Sequence, residues 1–114
     1  MADLSITNRE RFKDVCGIVR RVMRVDSLQR RNRRATFARS MATYLLRVRY
    51  GLSLRELGLL FDCVDSTIVY SCALIENERD DPDIDALVTE IEAMLDRKGG
   101  GTNGVEFQGR TVRL

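Results

Sequence analysis

The stretch Leu52-Ser53-Leu54-Arg55-Glu56-Leu57-Gly58-Leu59-Leu60-Phe61-Asp62-Cys63-Val64-Asp65-Ser66-Thr67-Ile68-Val69-Tyr70-Ser71 decides the fold. Ser53-Leu54-Arg55-Glu56 has the form of a capping box, in which the serine hydroxyl accepts an amide three residues on and the glutamate reaches back. Behind it, Leu54, Leu57, Leu60 and Phe61 recur at helical spacing and face a core. Gly58, the small residue among them, leaves room for another helix to come close. Asp62-Cys63-Val64 then makes a turn, and Asp62 can adopt the left-handed conformation because its short side chain bonds locally. A second helix opens at Asp65. Ile68, Cys72 and Ile75 point inward from it, while Ser66, Thr67, Val69, Tyr70 and Ala73 supply its outward positions. Two short helices, a tight turn and a polar start to the second make a helix-turn-helix pattern, which an ordinary helical hairpin would share.

Working outward, Thr7-Asn8-Arg9-Glu10 reads as another capping box. Phe12, Val15, Cys16, Val19, Val22 and Met23 behind it predict a helix over roughly Asn8 to Arg24. Val25-Asp26-Ser27-Leu28 offers a turn and a new cap, with a short helical turn carrying Leu28 inward. Phe37, Ala38, Met41, Ala42, Leu45, Leu46 and Val48 predict a helix from about Thr36 to Arg49, stopped by Gly51. On the other side, Asp80-Asp81-Pro82-Asp83 breaks the chain, because proline disfavours helix before it and fits the first turn after it. Ile84, Leu87, Val88, Ile91 and Leu95 define a last helix ending before Gly99-Gly100-Gly101. The expectation is an all-α bundle of about five to six helices over residues 1–98. A flexible glycine-rich tail is expected over 99–114. Leu45, Leu46, Leu57, Phe61, Ile68, Leu87 and Ile91 are core candidates.

Composition removes several functions. The 114 residues include no histidine, so Ser-His-Asp triads, Cys-His dyads and imidazole-bound zinc are excluded. Cys16, Cys63 and Cys72 form no C-x-x-C pair and read as packing residues. The glycine triplet is not followed by Gly-Lys-Ser/Thr and is no phosphate loop. No enzyme, metal site or cofactor is expected. No apolar run approaches the ~18 residues of a membrane helix. Without a signal-peptide pattern at the N-terminus, the expected place is the cytoplasm, at a bacterial nucleoid or in a phage-infected cell.

The net charge of +2 hides a strong polarity. Residues 1–55 carry 14 basic and 4 acidic side chains, and residues 56–98 carry 3 basic and 12 acidic. Such a split suits a polyanion partner for the first half, or one half neutralising the other. Seventeen of the 19 basic residues are arginine, the side chain that grips phosphate and guanine edges with paired hydrogen bonds. Arg30, Arg31, Arg33 and Arg34 crowd four guanidiniums into five positions, a density that calls for an anionic partner. Asp83, Asp85, Glu90, Glu92 and Asp96 form an acidic face on the last helix, either solvated or open to a protein partner.

In the order of these elements the chain resembles the C-terminal duplex-DNA-binding domain of the bacterial replication initiator DnaA. The resemblance runs from about Phe12 to Leu95. Its parts are Val25-Asp26-Ser27-Leu28, the basic stretch Arg30 to Arg34, and the run Ala38-Arg39-Ser40-Met41-Ala42-Thr43-Tyr44-Leu45-Leu46. After these come Leu52 to Gly58 and Asp65-Ser66-Thr67-Ile68-Val69-Tyr70-Ser71, which looks like the family signature at the start of the recognition helix. Where the family commonly has Arg-Asp-His, this chain has Cys63-Val64-Asp65. No nucleotide-binding domain accompanies the pattern, so the resemblance implies a free-standing DNA-binding module for replication or transcription control.

The resemblance implies that the helix starting near Asp65 enters the major groove. Asp65, Ser66, Thr67, Tyr70 and Ser71 are then the base-contact candidates, with Asp65 alternatively only the helix cap. Arg31 and Arg33 flank the position from which the family inserts an arginine into the minor groove. Arg30, Arg34, Arg39, Arg47, Arg49, Ser53 and Arg55 are the phosphate candidates. The rival reading from another class is a protein-interaction module that keeps this fold and binds a protein through its acidic half.

Overall fold

A computed structural model describes residues 5–99, which form five α-helices with no strand among them. The helices are α1 (Ile6–Met23), α2 (Arg33–Tyr50), α3 (Leu54–Phe61), α4 (Asp65–Glu78) and α5 (Pro82–Gly99). The all-helical bundle expected from the periodicity is what forms. Of the expected tail, residues 100–114 lie outside the described residues.

Each helix begins and ends where local chemistry favours it. The hydroxyl of Ser5 accepts the Asn8 amide at 3.0 Å, so α1 starts two residues ahead of the expected Thr7 box. Asn8 instead turns its side-chain amide to Glu56 of α3, at 3.2 Å. Asn32 caps α2 by accepting the Ala35 amide at 2.8 Å, which draws Arg33 and Arg34 into the helix's first turn rather than leaving them in a loop. Gly51 ends α2 with φ of 70°, a conformation that costs glycine nothing. Ser53 and Glu56 form the expected capping box on α3, and Asp62 closes that helix in the left-handed region at φ 56°. Val64 precedes α4 and caps it through its backbone alone, so Asp65 is the first helical residue and not the cap. The carboxylate of Asp81 accepts the Asp83 amide at 2.9 Å and starts α5 behind Pro82.

The α2 helix is the centre of the bundle. Every residue from Ser40 to Leu46 is buried, because α1, α3 and α4 pack around it. The core joins Val15 and Val19 of α1, Met41, Leu45 and Leu46 of α2, Leu57 of α3, Ile68 and Ile75 of α4, and Val88, Ile91 and Leu95 of α5. Phe61 and Leu87, expected inside, are half-buried at its edge, Phe61 meeting Phe12 edge-on with ring centroids 5.2 Å apart. Residues between α1 and α2 form an irregular loop without the expected helical turn, although Leu28 is buried as expected.

α3 and α4 are set at 97° to one another across the Asp62-Cys63-Val64 turn. Gly58 is what lets the turn close. A Cβ there would stand 2.7 Å from the Cys63 carbonyl oxygen, so the close neighbour is the turn's own backbone and not another helix. The Cys63 amide in turn donates to the Gly58 carbonyl at 3.0 Å.

Candidate nucleic-acid interface

The first turns of α4 present an exposed, mostly uncharged surface. Asp65, Ser66, Thr67 and Tyr70 all face solvent, as do Val64 ahead of them and Val69 among them. Ser71 does not. It is buried, with its hydroxyl 3.3 Å from that of Ser40, and it belongs to the α2–α4 packing rather than to any base-contacting face. The reason is angular: Ser71 lies three residues beyond Ile68 and four before Ile75, on the inward stripe that both define.

The arginines divide by what holds them. Arg31, Arg33, Arg34 and Arg55 are exposed and make no ion pair or side-chain hydrogen bond among the described residues. Arg33 and Arg34 sit at the positive end of the α2 dipole, whose first turn holds no acidic residue, an arrangement that favours an added anion. Arg30 makes two parallel hydrogen bonds to the Asp26 carboxylate, at 2.9 and 2.8 Å, and these hold the Asp26 carboxyl below its usual range. Both partners are exposed, so the pair contributes little and a phosphate can displace it.

Four other phosphate candidates are engaged within the protein, three arginines and Ser53. Arg39 donates to the Leu28 carbonyl, to the Arg30 carbonyl at 3.3 Å and to the Thr36 hydroxyl, so it secures the loop rather than projecting from the surface. Arg49 pairs with Asp96 of α5 and lies over the Tyr50 ring, which Arg11 also approaches. Burial opposes its charge, and the hydrogen bonds with Asp96 and Tyr50 more than offset that. Arg47 donates to the Leu52 carbonyl at 2.8 Å and fixes the α2–α3 connection, although the residue as a whole is exposed. The Ser53 hydroxyl and amide both serve the capping box.

The α1–α2 loop lies against the end of α3, along a groove lined by Phe12, Cys16, Arg20, Leu28, Gln29 and Phe61. Burial, with the charge of Asp62, raises the Cys63 thiol above its ordinary range, and the charge of Arg39 opposes that shift. A second, open groove along Arg24, Asp26, Arg30, Asn32, Arg33 and Arg34 continues past the α2 N-terminus.

The acidic half is partly spent within the fold. Asp96 holds Arg49, and Asp85 holds Arg79 at 2.6 Å while Arg79 also donates to the Tyr44 hydroxyl at 3.0 Å. Asp83 and Glu90 remain exposed and Glu92 is half-buried. No cluster of acidic or cysteine side chains among the described residues could hold a metal ion, and no single helix there is long and apolar enough to cross a membrane. Burial pushes the Cys16 thiol up to about 12, which removes its nucleophilic form at neutral pH.

No protein-family model, curated protein or solved structure matches this chain. Sequence reasoning missed the Asn32 cap, for which an asparagine ahead of a helical run was the available signal. It also missed the ties from Arg39 to the Arg30 carbonyl and from Arg79 to the Tyr44 hydroxyl, 9 and 35 residues away in the chain, which have no local signature.

Proposed function

We propose that this protein binds duplex DNA, with α3 and α4 as a helix-turn-helix. In this reading α4 lies in the major groove, and the segment Arg31 to Arg34 contacts the adjacent minor groove or backbone. The observation that carries the reading is that three arginines at and just before the α2 N-terminus, Arg31, Arg33 and Arg34, are exposed and pair with no acidic side chain among the described residues, while the first turns of α4 are exposed as well. Exposed cations together with an exposed helix start that carries a single charge, Asp65, suit a duplex, whose backbone is anionic and whose base edges are neutral. The likeness to the DnaA C-terminal domain points the same way, toward a sequence-selective module in replication or transcription control. Asp65, Ser66, Thr67 and Tyr70 are the base-contacting candidates, and Arg30 and Arg55 join the phosphate contacts.

The test is fluorescence anisotropy with a DnaA-box duplex, a scrambled duplex and a random library at several salt concentrations. Binding should weaken steeply with salt. Replacing Arg31, Arg33 and Arg34 together by alanine should reduce the slope of log K against log salt by up to about 0.9 per lost contact. These side chains are exposed, so the helical fold should survive the change. Absence of duplex binding at low salt, or binding unaffected by the triple change, overturns the proposal.

A further inference from the structure

The groove between α1, the end of α3 and the α1–α2 loop has no part in the duplex-binding reading. Its volume is about 290 Å³. Ligand pockets run from about 300 to 1,000 Å³, so this one holds a side chain or two rather than a cofactor. Its wall is mostly apolar, with Leu28 buried and Phe12, Cys16 and Phe61 half-buried. Two charged side chains also line it. Asp26 is held by Arg30, whereas Arg20 is exposed and pairs with no acidic side chain among the described residues. The groove therefore suits an apolar segment that carries a carboxylate.

The chain beyond α5 offers two apolar segments, Val105-Glu106-Phe107 and Val112-Arg113-Leu114, and Glu106 is the one acidic residue between Gly100 and Leu114. A second arginine brought against Arg20 would be repelled, so charge selects the first segment. Alternate side chains of an extended stretch point to opposite sides, which lets Val105 and Phe107 enter the groove together while Glu106 stays at its rim. Reach agrees with this choice. Lys98, in the last turn of α5, lies 3.8 Å from Asp14 of α1. Asp14 and Cys16 are about 160° apart around a helix about 10 Å wide, so the groove opens on the far side of α1 from Asp14. Residues 100 to 104 can span up to about 17 Å, enough to round that helix. The way round passes Gly17, where a Cβ would meet nothing within 4 Å, and comes to Arg20 before the apolar wall.

We infer that Val105-Glu106-Phe107 of this chain docks in the groove, with Val105 and Phe107 against Phe12, Leu28 and Phe61 and the Glu106 carboxylate paired with the Arg20 guanidinium. The inference stands apart from the duplex-binding reading, since none of these residues belongs to the proposed DNA contacts.

The experiment is NMR on the full chain labelled with ¹³C and ¹⁵N. Nuclear Overhauser contacts should join the Phe107 ring to Phe12, Leu28 or Phe61. Phe107→Ser should remove them and shift the amide signals of Cys16 and Leu28, with the signals of α4 left in place. Arg20→Glu alters an exposed side chain, so the bundle should stay folded. It should lower the ratio of docked to undocked segment roughly two- to fivefold, the worth of one exposed ion pair, and Glu106→Arg in the same chain should restore it. Absence of any contact between Phe107 and the groove overturns the inference, and so does a ratio that Arg20→Glu leaves unchanged. Contacts found only between differently labelled copies in a mixed sample also overturn it, in favour of a second copy as the occupant.

Discussion

Gly58→Ala should destabilise the protein, against the usual sign for glycine to alanine inside a helix. In an unobstructed helix the change gains about 1 kcal/mol, since glycine has more backbone freedom to lose. At Gly58 the new Cβ would lie 2.7 Å from the Cys63 carbonyl oxygen, about 0.7 Å inside the 3.4 Å at which ordinary contact begins. That oxygen is backbone and cannot swing aside as a side-chain tip would. The turn must retreat, which carries an overpacking cost of about 1–3 kcal/mol. Retreat also strains the Cys63-to-Gly58 amide hydrogen bond, worth about 1 kcal/mol. The net loss is about 2 kcal/mol, or a fall in Tm of roughly 8–16 °C for a domain of this size. Gly17→Ala is the matched control, because nothing lies within 4 Å of its Cβ position in the middle of α1. It should raise Tm by up to roughly 4–8 °C. Thermal melts followed at 222 nm compare the two. A Gly58→Ala protein as stable as wild type would refute the close-approach argument, and one stabilised as much as Gly17→Ala would refute the turn geometry itself.

Three further outcomes follow from the same contacts. Replacing Arg33 and Arg34 by alanine should stabilise the free protein by about 0.3–1 kcal/mol per charge at low salt, since cations oppose the positive end of the α2 dipole, while duplex affinity falls; urea melts and anisotropy on one sample measure both. Tyr44→Phe removes the hydroxyl that accepts from Arg79 and should cost about 1 kcal/mol in urea unfolding, with the ring still packed in the core. The capping-box hydrogen bonds from Ser53, with that from Asn8, hold the Glu56 carboxyl below its ordinary 4.5. A carboxyl depressed in the folded state adds stability above its unfolded pKa and loses it as pH falls through the folded value. Stability measured from pH 6 down to pH 3 should therefore decline less steeply in Glu56→Gln than in wild type, and parallel declines would refute the assignment.

The helices were legible in the residues themselves. Apolar spacing, the Ser53–Glu56 box, Gly51, Asp62 and Pro82 act within a turn or two of the chain, and the structure places helices where they direct. Local capping also accounts for the differences at the ends: a serine at 5 and an asparagine at 32 each reach an amide three residues ahead, and shift the starts of α1 and α2. The sequence also located the basic stretch and the exposed start of α4, because both follow from local composition and period.

Tertiary structure alone decided which of those residues are available. The inward position of Ser71 follows from the Ile68–Ile75 stripe, but the partner its hydroxyl meets, Ser40 of α2, lies 31 residues away in the chain. Arg39 and Arg49 look like Arg31 and Arg33 in the sequence, but carbonyls of the α1–α2 loop hold one and the Asp96 carboxylate holds the other. A guanidinium on a long stem accepts whichever acceptor the fold brings within reach, and those acceptors come from distant parts of the chain. Helix formation is governed by neighbours in sequence, which is why it can be read there. The freedom of a side chain to meet a partner is governed by neighbours in space, and only the packed bundle supplies them.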